Sequence, residues 1–305
     1  MRPKGLDMAN EVKSVSDLRH ALESRELDAS ELSVIGTRPP LRLYIEQLWS
    51  RRHFIWFDSQ RRAATQNSRN RLGNVWLMLR PMVDAAMYYV IFGLLLGVNR
   101  GLPNFPAFLL IGVLMFRSTN GAISAGVGSM RASKAMLRAF SFPRAAVPIS
   151  NVLQSALTAV FTMLAMCIAI IIVPPHALPQ VTWALIIPIF LLQTLLNLGV
   201  TFITARIGFH FPDLSNMMNM VTRFLMYGSG VIFPITQFID NPIIGAIVTF
   251  NPLYQIIDMA RVALIDGSVP ALSSWVVVTA WAVLLPLVGF LFFWRGEESY
   301  GRELR

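Results

Sequence analysis

The 305-residue chain is poor in charge. Only 14% of its residues are Asp, Glu, Lys or Arg, against about 25% in a soluble domain. It has one cysteine, Cys167, inside an apolar run, which excludes an internal disulfide and a thiolate metal site. Its lysines are Lys4, Lys13 and Lys134, and none follows a glycine-rich turn, so the common phosphate loop is absent. There is no H-E-x-x-H, no Cys/His ligand cluster and no G-x-S-x-G elbow; His20, His53, His176 and His210 are scattered. Acids placed as proton or sodium relays are also missing: Asp84 falls near one end of an apolar run and Asp213 in a loop. No catalytic residue, no metal site and no cofactor bound by this chain is expected. The N-terminus lacks an apolar h-region, so no cleaved signal peptide is expected.

Hydrophobic residues, by contrast, make up 54% of the chain, and the mean hydropathy is +0.54. This composition reads as an all-α integral membrane protein. The basic excess lies just before the first long apolar run, as Arg42, Arg51, Arg52, Arg61, Arg62, Arg69, Arg71 and Arg80 against Glu46 and Asp58. Such a segment anchors to anionic headgroups on the cytoplasmic side. With that anchor set aside, few basic residues remain, and no nucleic-acid partner is expected.

Three regions follow. Residues 1–40 form a polar cytoplasmic N-terminal extension, in which Ser14–Leu32 has the pattern of one short charged helix. Residues 41–74 form an amphipathic interfacial segment. Leu41, Tyr44, Ile45, Leu48, Trp49, Ile55 and Trp56 make an apolar helical stripe interrupted at Arg52. Trp49 and Trp56 beside Arg51 and Arg52 suit a membrane surface.

Residues 75–305 form a transmembrane domain of six helices. These begin near Val75 (apolar from Met82 to Val98), then run over Phe105–Val127, Ala146–Val173, Val181–Ile207 with a kink at Pro188, Leu214–Phe233 and Trp275–Trp294. About 20 helical residues cross a ~30 Å core. Arg80 and Asp84, four apart, are placed to pair. Between the last two spans, Asn241-Pro242 and Asn251-Pro252 each interrupt a helix and start another. The pieces Pro242–Phe250 and Pro252–Ile265 therefore read as an external re-entrant pair of half-helices. Arg131, Lys134, Arg138, Arg144 and Arg206 lie in loops on one side, whereas the opposite loops 99–104 and 174–180 carry only Arg100. The positive-inside rule then puts both termini in the cytoplasm of a multi-pass inner (plasma) membrane protein.

Four segments, in order, resemble type-2 ABC exporter permeases. Ser68–Pro81, SRNRLGNVWLMLRP, is similar to that family's opening motif, with two extra residues before Leu-Gly. Residues 106–144 resemble its second span and coupling segment, ending in Phe142-Pro143-Arg144. Residues 251–267, NPLYQIIDMARVALIDG, resemble its external segment, and Glu298–Leu304 its acidic-aromatic terminus. The branch most similar exports polysaccharide, O-antigen or teichoic acid on lipid carriers.

The resemblance implies a membrane subunit that works as two copies with two copies of a separate ABC ATPase, which would hold ATP and Mg. The substrate would be a lipid-linked glycan moved outward through surrounding membrane lipids. An ABC drug or small-lipid exporter of the same fold is the alternative; a stand-alone membrane enzyme or scramblase is another. On this resemblance Arg131, Lys134, Arg138, Phe142, Pro143 and Arg144 form the ATPase-coupling segment, unless the cations only set topology. Asn251, Pro252, Tyr254, Asp258 and Arg261 belong to the external re-entrant pair, where Asp258 and Arg261 pair with each other. Arg117, at mid-span, costs about 2.5–3.5 kcal/mol on insertion scales. It meets either a substrate phosphate in the conduit or a carbonyl or Asp of a neighbouring helix. Tyr88, Tyr89, Phe92, Phe105, Phe108 and Phe116 form either a sugar-stacking track or an ordinary lipid- and core-facing set.

Overall fold

In a computed structural model, residues 39–65, 73, 75–95, 97, 104–139, 143–211, 213–235 and 241–303 are described. The polar extension 1–38 and Phe142 lie outside them, as does the side chain of Arg138. The described residues build helices α1 (Leu41–Ser50), α2 (Arg52–Thr65), α3 (Val75–Tyr88), α4 (Phe105–Ala132), α5 (Lys134–Ala139), α6 (Ala146–Ile172), α7 (Ile186–His210), α8 (Leu214–Gly228), α9 (Pro242–Phe250), α10 (Pro252–Leu264), α11 (Leu272–Arg295) and α12 (Glu297–Glu303). A π-helical stretch, Tyr89–Leu95, continues α3, and a 3-10 turn, Val181–Leu185, precedes α7.

Helix starts follow local chemistry. The Asn104 side chain accepts the amide N–H of Ala107 at 3.2 Å, with Pro106 in the first turn of α4. Asn241 accepts Ile243 N–H at 2.9 Å and Asn251 accepts Leu253 N–H at 3.0 Å, with Pro242 and Pro252 as first helical residues. An Asn cap with proline behind it satisfies an orphan donor and lacks another.

Among the described residues, four helices are long and apolar enough to cross a membrane: α4, α6, α7 with its 3-10 turn, and α11. The other two expected spans are shorter. The apolar run Met82–Leu95 falls among the shorter apolar helices, and α8 stops at Gly228 after 15 residues. Beyond it Gly230 adopts φ +62°, a left-handed turn that ends the helix. Pro188, the expected kink, falls in the first turn of α7, directly after the 3-10 turn Val181–Leu185, a position that tolerates proline. Pro286 lies inside α11. The single surface stripe over 41–57 is two helices, broken at Arg51.

The apolar core divides in two. One part gathers the first half of α4, α10 and the Val231-Ile232 segment after α8. The other gathers Tyr44, Met130, Phe202, Phe209, Phe293 and Tyr300 at the opposite end of the bundle. Between lipid-solvated helices there is little hydrophobic drive to associate, so close backbone approach and polar contacts hold them. A Cβ built on Gly208 of α7 would come within 2.5 Å of the Val127 carbonyl of α4. Along the same seam Gln193 Nε2 donates to Met115 O at 2.7 Å, Asn197 Nδ2 to Ser118 Oγ at 3.2 Å and Thr201 Oγ1 to Ala122 O at 3.3 Å.

Candidate functional site: an open polar lane and its two anchors

Helix α4 changes character at its middle. From Phe105 to Phe116 every residue except Pro106 is buried. From Arg117 onward one side opens: Arg117, Ser118 and Asn120 are half-buried, and Gly121, Ser124, Gly128 and Arg131 are exposed. Arg117, Gly121, Ser124, Gly128 and Arg131, spaced by four and three, lie on one helical face, with Asn120 at its edge and Ser118 turned toward α7. A Cβ built on Gly121 or Gly128 would meet no atom within 4 Å. The face opposite, with Thr119, Ala122, Ile123, Gly126 and Val127, is buried. An apolar spanning helix thus exposes a polar, small-residue lane.

Arg117 heads this lane. Its Nη1 contacts Asp84 Oδ2 of α3 in a short ion pair, with the two side chains 39% and 43% exposed. Asp84 therefore does not pair with Arg80, which is exposed one turn earlier on α3. One turn later, the Tyr88 hydroxyl contacts the sulfur of Met226 in α8 at 4.0 Å. The aromatics lie elsewhere. Phe105, Phe108 and Phe116 are buried in the core, and Tyr88, Tyr89 and Phe92 pack against it half-buried. Phe105 stacks on Phe108 at 6.2 Å and leans on Tyr89 at 6.2 Å.

At the α1 end of the bundle, a buried polar junction ties distant segments. Tyr44 is fully buried; its hydroxyl donates to Glu297 Oε2 at 2.9 Å and accepts Ala145 N–H at 3.0 Å. Arg144 donates to Glu297 Oε1 from its backbone N at 3.2 Å and from Nη1 at 3.1 Å, and from Nη1 to Glu297 O at 3.0 Å. Burial pushes the Glu297 carboxyl above the usual carboxylate range, although the Arg144 charge and the hydrogen bonds pull it down. Burial, then the Glu297 charge, pushes the Tyr44 phenol well above its ordinary value. Tyr300, also fully buried, donates to Phe293 O at 3.2 Å and meets the Phe209 ring edge-on at 4.9 Å.

This junction sits next to the segment expected to couple to an ATPase. Pro143 is buried and Arg144 is engaged within the chain, while Arg131 and Lys134 are exposed; Arg131 also donates to Phe209 O at 3.2 Å. Helices α1 and α2 present Trp49, Phe54, Trp56 and Phe57 outward beside exposed Arg51 and Arg52. The Arg52 guanidinium lies 5.3 Å from the Trp49 ring centre. Ser59 holds α2 to α6 through Ser150 O at 3.1 Å.

At the other end, Arg261 is the organising residue. It is 5% exposed. Its Nε donates to Phe108 O at 3.2 Å, Nη1 to Gly230 O at 2.8 Å and Nη2 to Val231 O at 2.8 Å, and the guanidinium lies over the Phe108 ring at 3.4 Å. The expected Asp258–Arg261 ion pair does not form; among the described residues the guanidinium is held by carbonyls instead. These belong to α4 and to the chain just past α8, where a helix C-terminus favours a cation. Asn251 Nδ2 adds a bond to Ser229 Oγ at 3.0 Å. Pro252 and Tyr254, half-buried in the first turn of α10, lie beside this staple.

Asn120, Gly121, Ser124, Gly128 and Glu297 escape a reading of the sequence alone. The lane had one local signal, small and polar residues every third or fourth position of α4. Glu297 had none, because its partners are remote in sequence.

Among known proteins, the O-antigen export system permease protein RfbA of Klebsiella pneumoniae is 24% identical over 65% of this chain and 74% of its own length. The Myxococcus xanthus protein of that name is 22% identical over 85% and 98%. The polysialic acid transport protein KpsM of Escherichia coli is 22% identical over 78% and 92%. Residues 59–265, well over half of the 305, match the ABC-2 type transporter family. With four helices fit to cross a membrane and a polar lane along one of them, the chain is a membrane protein belonging to that family.

Proposed function

We propose that this chain is the membrane subunit of an ATP-driven exporter that moves a lipid-linked cell-envelope polysaccharide outward. The observation that carries this reading is the α4 lane, a polar and sterically open face on a membrane-crossing helix. A sugar chain needs hydroxyl and amide partners together with room, and an apolar small molecule does not. The names of the relatives, O-antigen export permease and polysialic acid transport protein, support the substrate class.

In this reading six segments cross the membrane: the α3 stretch with its π-helical end, α4, α6, α7, α8 and α11. The α1 end is cytoplasmic, as are both termini, and α9 and α10 form the re-entrant pair outside. Two copies enclose the conduit, and two copies of a separate ATPase supply ATP and Mg. The exposed cations Arg131 and Lys134 receive the ATPase. The Tyr44–Glu297–Arg144 junction passes its stroke to α1, to α6 and to the end of α11, because it fastens all three.

A strain lacking this chain should retain the polymer inside and regain surface polymer only when the chain and its ATPase are both returned. Surface polymer unchanged by the loss, with altered drug sensitivity, would favour the drug-exporter alternative. Topology is checked by cysteine labelling in a Cys167→Ser background. Ser273→Cys should react from outside, and Glu298→Cys only after permeabilisation.

A further inference from the structure

We infer that Arg117 is a binding site for a phosphate-class oxyanion borne by the transported molecule, with Asp84 as its resident counter-ion and Arg80 as the place that counter-ion moves to. This deepens the reading just given and rests on it.

The argument begins with what Arg117 leaves open. A guanidinium carries five N–H donors in a planar fork. Among the described residues, Asp84 is the one partner that Arg117 has. The side chain is 39% exposed at the head of the lane, so its other donors are accessible from there. A fixed structural arginine in an apolar helix would be surrounded and satisfied, as Arg261 is. Arg117 instead keeps the geometry that phosphate oxygens accept in pairs.

The surroundings specify the bearer. On α3, beside Asp84, an apolar stripe of Val83, Met87, Val90 and Leu94 is exposed. On α4 the lane of Asn120, Gly121, Ser124 and Gly128 leads away from Arg117 toward Arg131. An apolar face and a polar face therefore meet at one cation. That order fits an amphiphile whose apolar chain joins a polar chain through a phosphate.

Charge balance identifies Arg80. When an oxyanion takes Arg117, the Asp84 carboxylate loses its partner. Arg80 lies four residues earlier on the same helix, exposed, and forms no ion pair among the described residues. Residues four apart on a helix are neighbours. The carboxylate moves from α4 to its own helix, and the α3–α4 bond opens as the substrate binds.

The test is binding to the full chain in nanodiscs of phosphatidylcholine, with farnesyl diphosphate as probe and farnesol as the control without phosphate. Arg117→Gln should weaken farnesyl diphosphate binding at least about tenfold, and Arg117→Lys, which keeps the charge but not the planar fork, should weaken it by less. Asp84→Asn should bind more tightly than the natural chain, because a competing anion is gone. Arg80→Gln should weaken binding by less than Arg117→Gln. A merely structural ion pair predicts no tightening in Asp84→Asn. Unchanged binding in Arg117→Gln, or no gain in Asp84→Asn, overturns the proposal. So does equal binding of farnesol, or equal displacement of the probe by phosphatidylglycerol, which would assign the cation to bulk lipid headgroups. Export in cells separates the two readings: a chain that still restores surface polymer with its ATPase while failing these binding tests remains an exporter without this site.

Discussion

Two arginines inside the helical bundle are held in opposite ways. Arg261 is buried, has three carbonyl partners from two other segments and lies against Phe108. Arg117 is half-exposed and has one carboxylate. Arg261 joins α10 to α4 and to the end of α8, and each of its three guanidinium nitrogens donates to a carbonyl. Among the described residues Arg117 joins α3 to α4 by one contact, and the rest of its fork has no partner. The difference teaches how to tell a cation that holds a fold from one that remains available. Burial and full hydrogen bonding mark the first; exposure within an otherwise apolar helix marks the second.

The contrast is tested most severely at Arg261. Arg261→Met keeps much of the volume but removes the donors from three carbonyls at a buried site. Hydrogen bonds to charged groups are worth about 1.5–3 kcal/mol each, so the loss should be at least about 3 kcal/mol. Thermal unfolding of the solubilised chain, followed by circular dichroism, measures it. A shift no larger than that of Arg117→Gln would erase the distinction.

The buried junction at the other end gives the next effect. Glu297→Ala takes the carboxylate from the Tyr44 hydroxyl and from Arg144, which keeps only the backbone carbonyl of residue 297, and removing one member of a buried pair costs about 3 kcal/mol or somewhat more. Glu297→Gln, which still offers an oxygen to Tyr44, should cost less. Its pH dependence has a definite sign. Because burial raises the folded-state pKa, the folded chain holds this proton to higher pH than the unfolded chain does. The group's stabilisation is therefore full below the ordinary Glu value and declines as pH rises through the raised one. Melting temperature measured across that window should fall with pH, and Glu297→Gln should remove this component of the slope.

A smaller effect probes the seat of Arg261 from the other side. A Cβ on Gly112 would lie 2.4 Å from Val231 O and 2.5 Å from Arg261 Nη2. Gly112→Ala should therefore destabilise by about 1–3 kcal/mol, as overpacking does. Gly121→Ala, which meets nothing within 4 Å, should leave melting unchanged or slightly raised, since alanine favours the helix. Equal losses at the two glycines would mean that the lane is closed.

The positions of the helices could be read from the sequence to a large degree. Asn104, Asn241 and Asn251 announce helix starts by local hydrogen bonding, and local chemistry is what a sequence displays. The ends were harder. Pro188 looks like a kink until the first turn of α7 is known to begin two residues before it. The pairing of charges was misread for one reason. Arg80 with Asp84 and Asp258 with Arg261 are the pairs that short separation offers. The contacts that form span 33 residues for Asp84–Arg117 and 153 for both Arg261–Phe108 and Arg144–Glu297. Helix packing decides these, and no local pattern encodes it. The α4 lane is intermediate: its residues repeat at helical spacing, but which face is open depends on where α7 and α6 pack.

The smallest expected effect on stability completes the contrast. Replacing Arg117 by Gln removes one ion pair between side chains about 40% exposed. Exposed pairs contribute about 0–1 kcal/mol, because water already solvates both charges and ordering two long side chains costs entropy. A lane open to water keeps the cost of a lone Asp84 low. Melting of Arg117→Gln and Asp84→Asn should therefore lie within about 1 kcal/mol of the natural chain. High salt should weaken the pair and narrow even this gap. A loss near that of Arg261→Met would mean that Asp84 and Arg117 are sealed from water, and the lane would then have to begin below them, at Asn120. A small loss leaves the cation where a passing anion can reach it, at little cost to the fold that holds it.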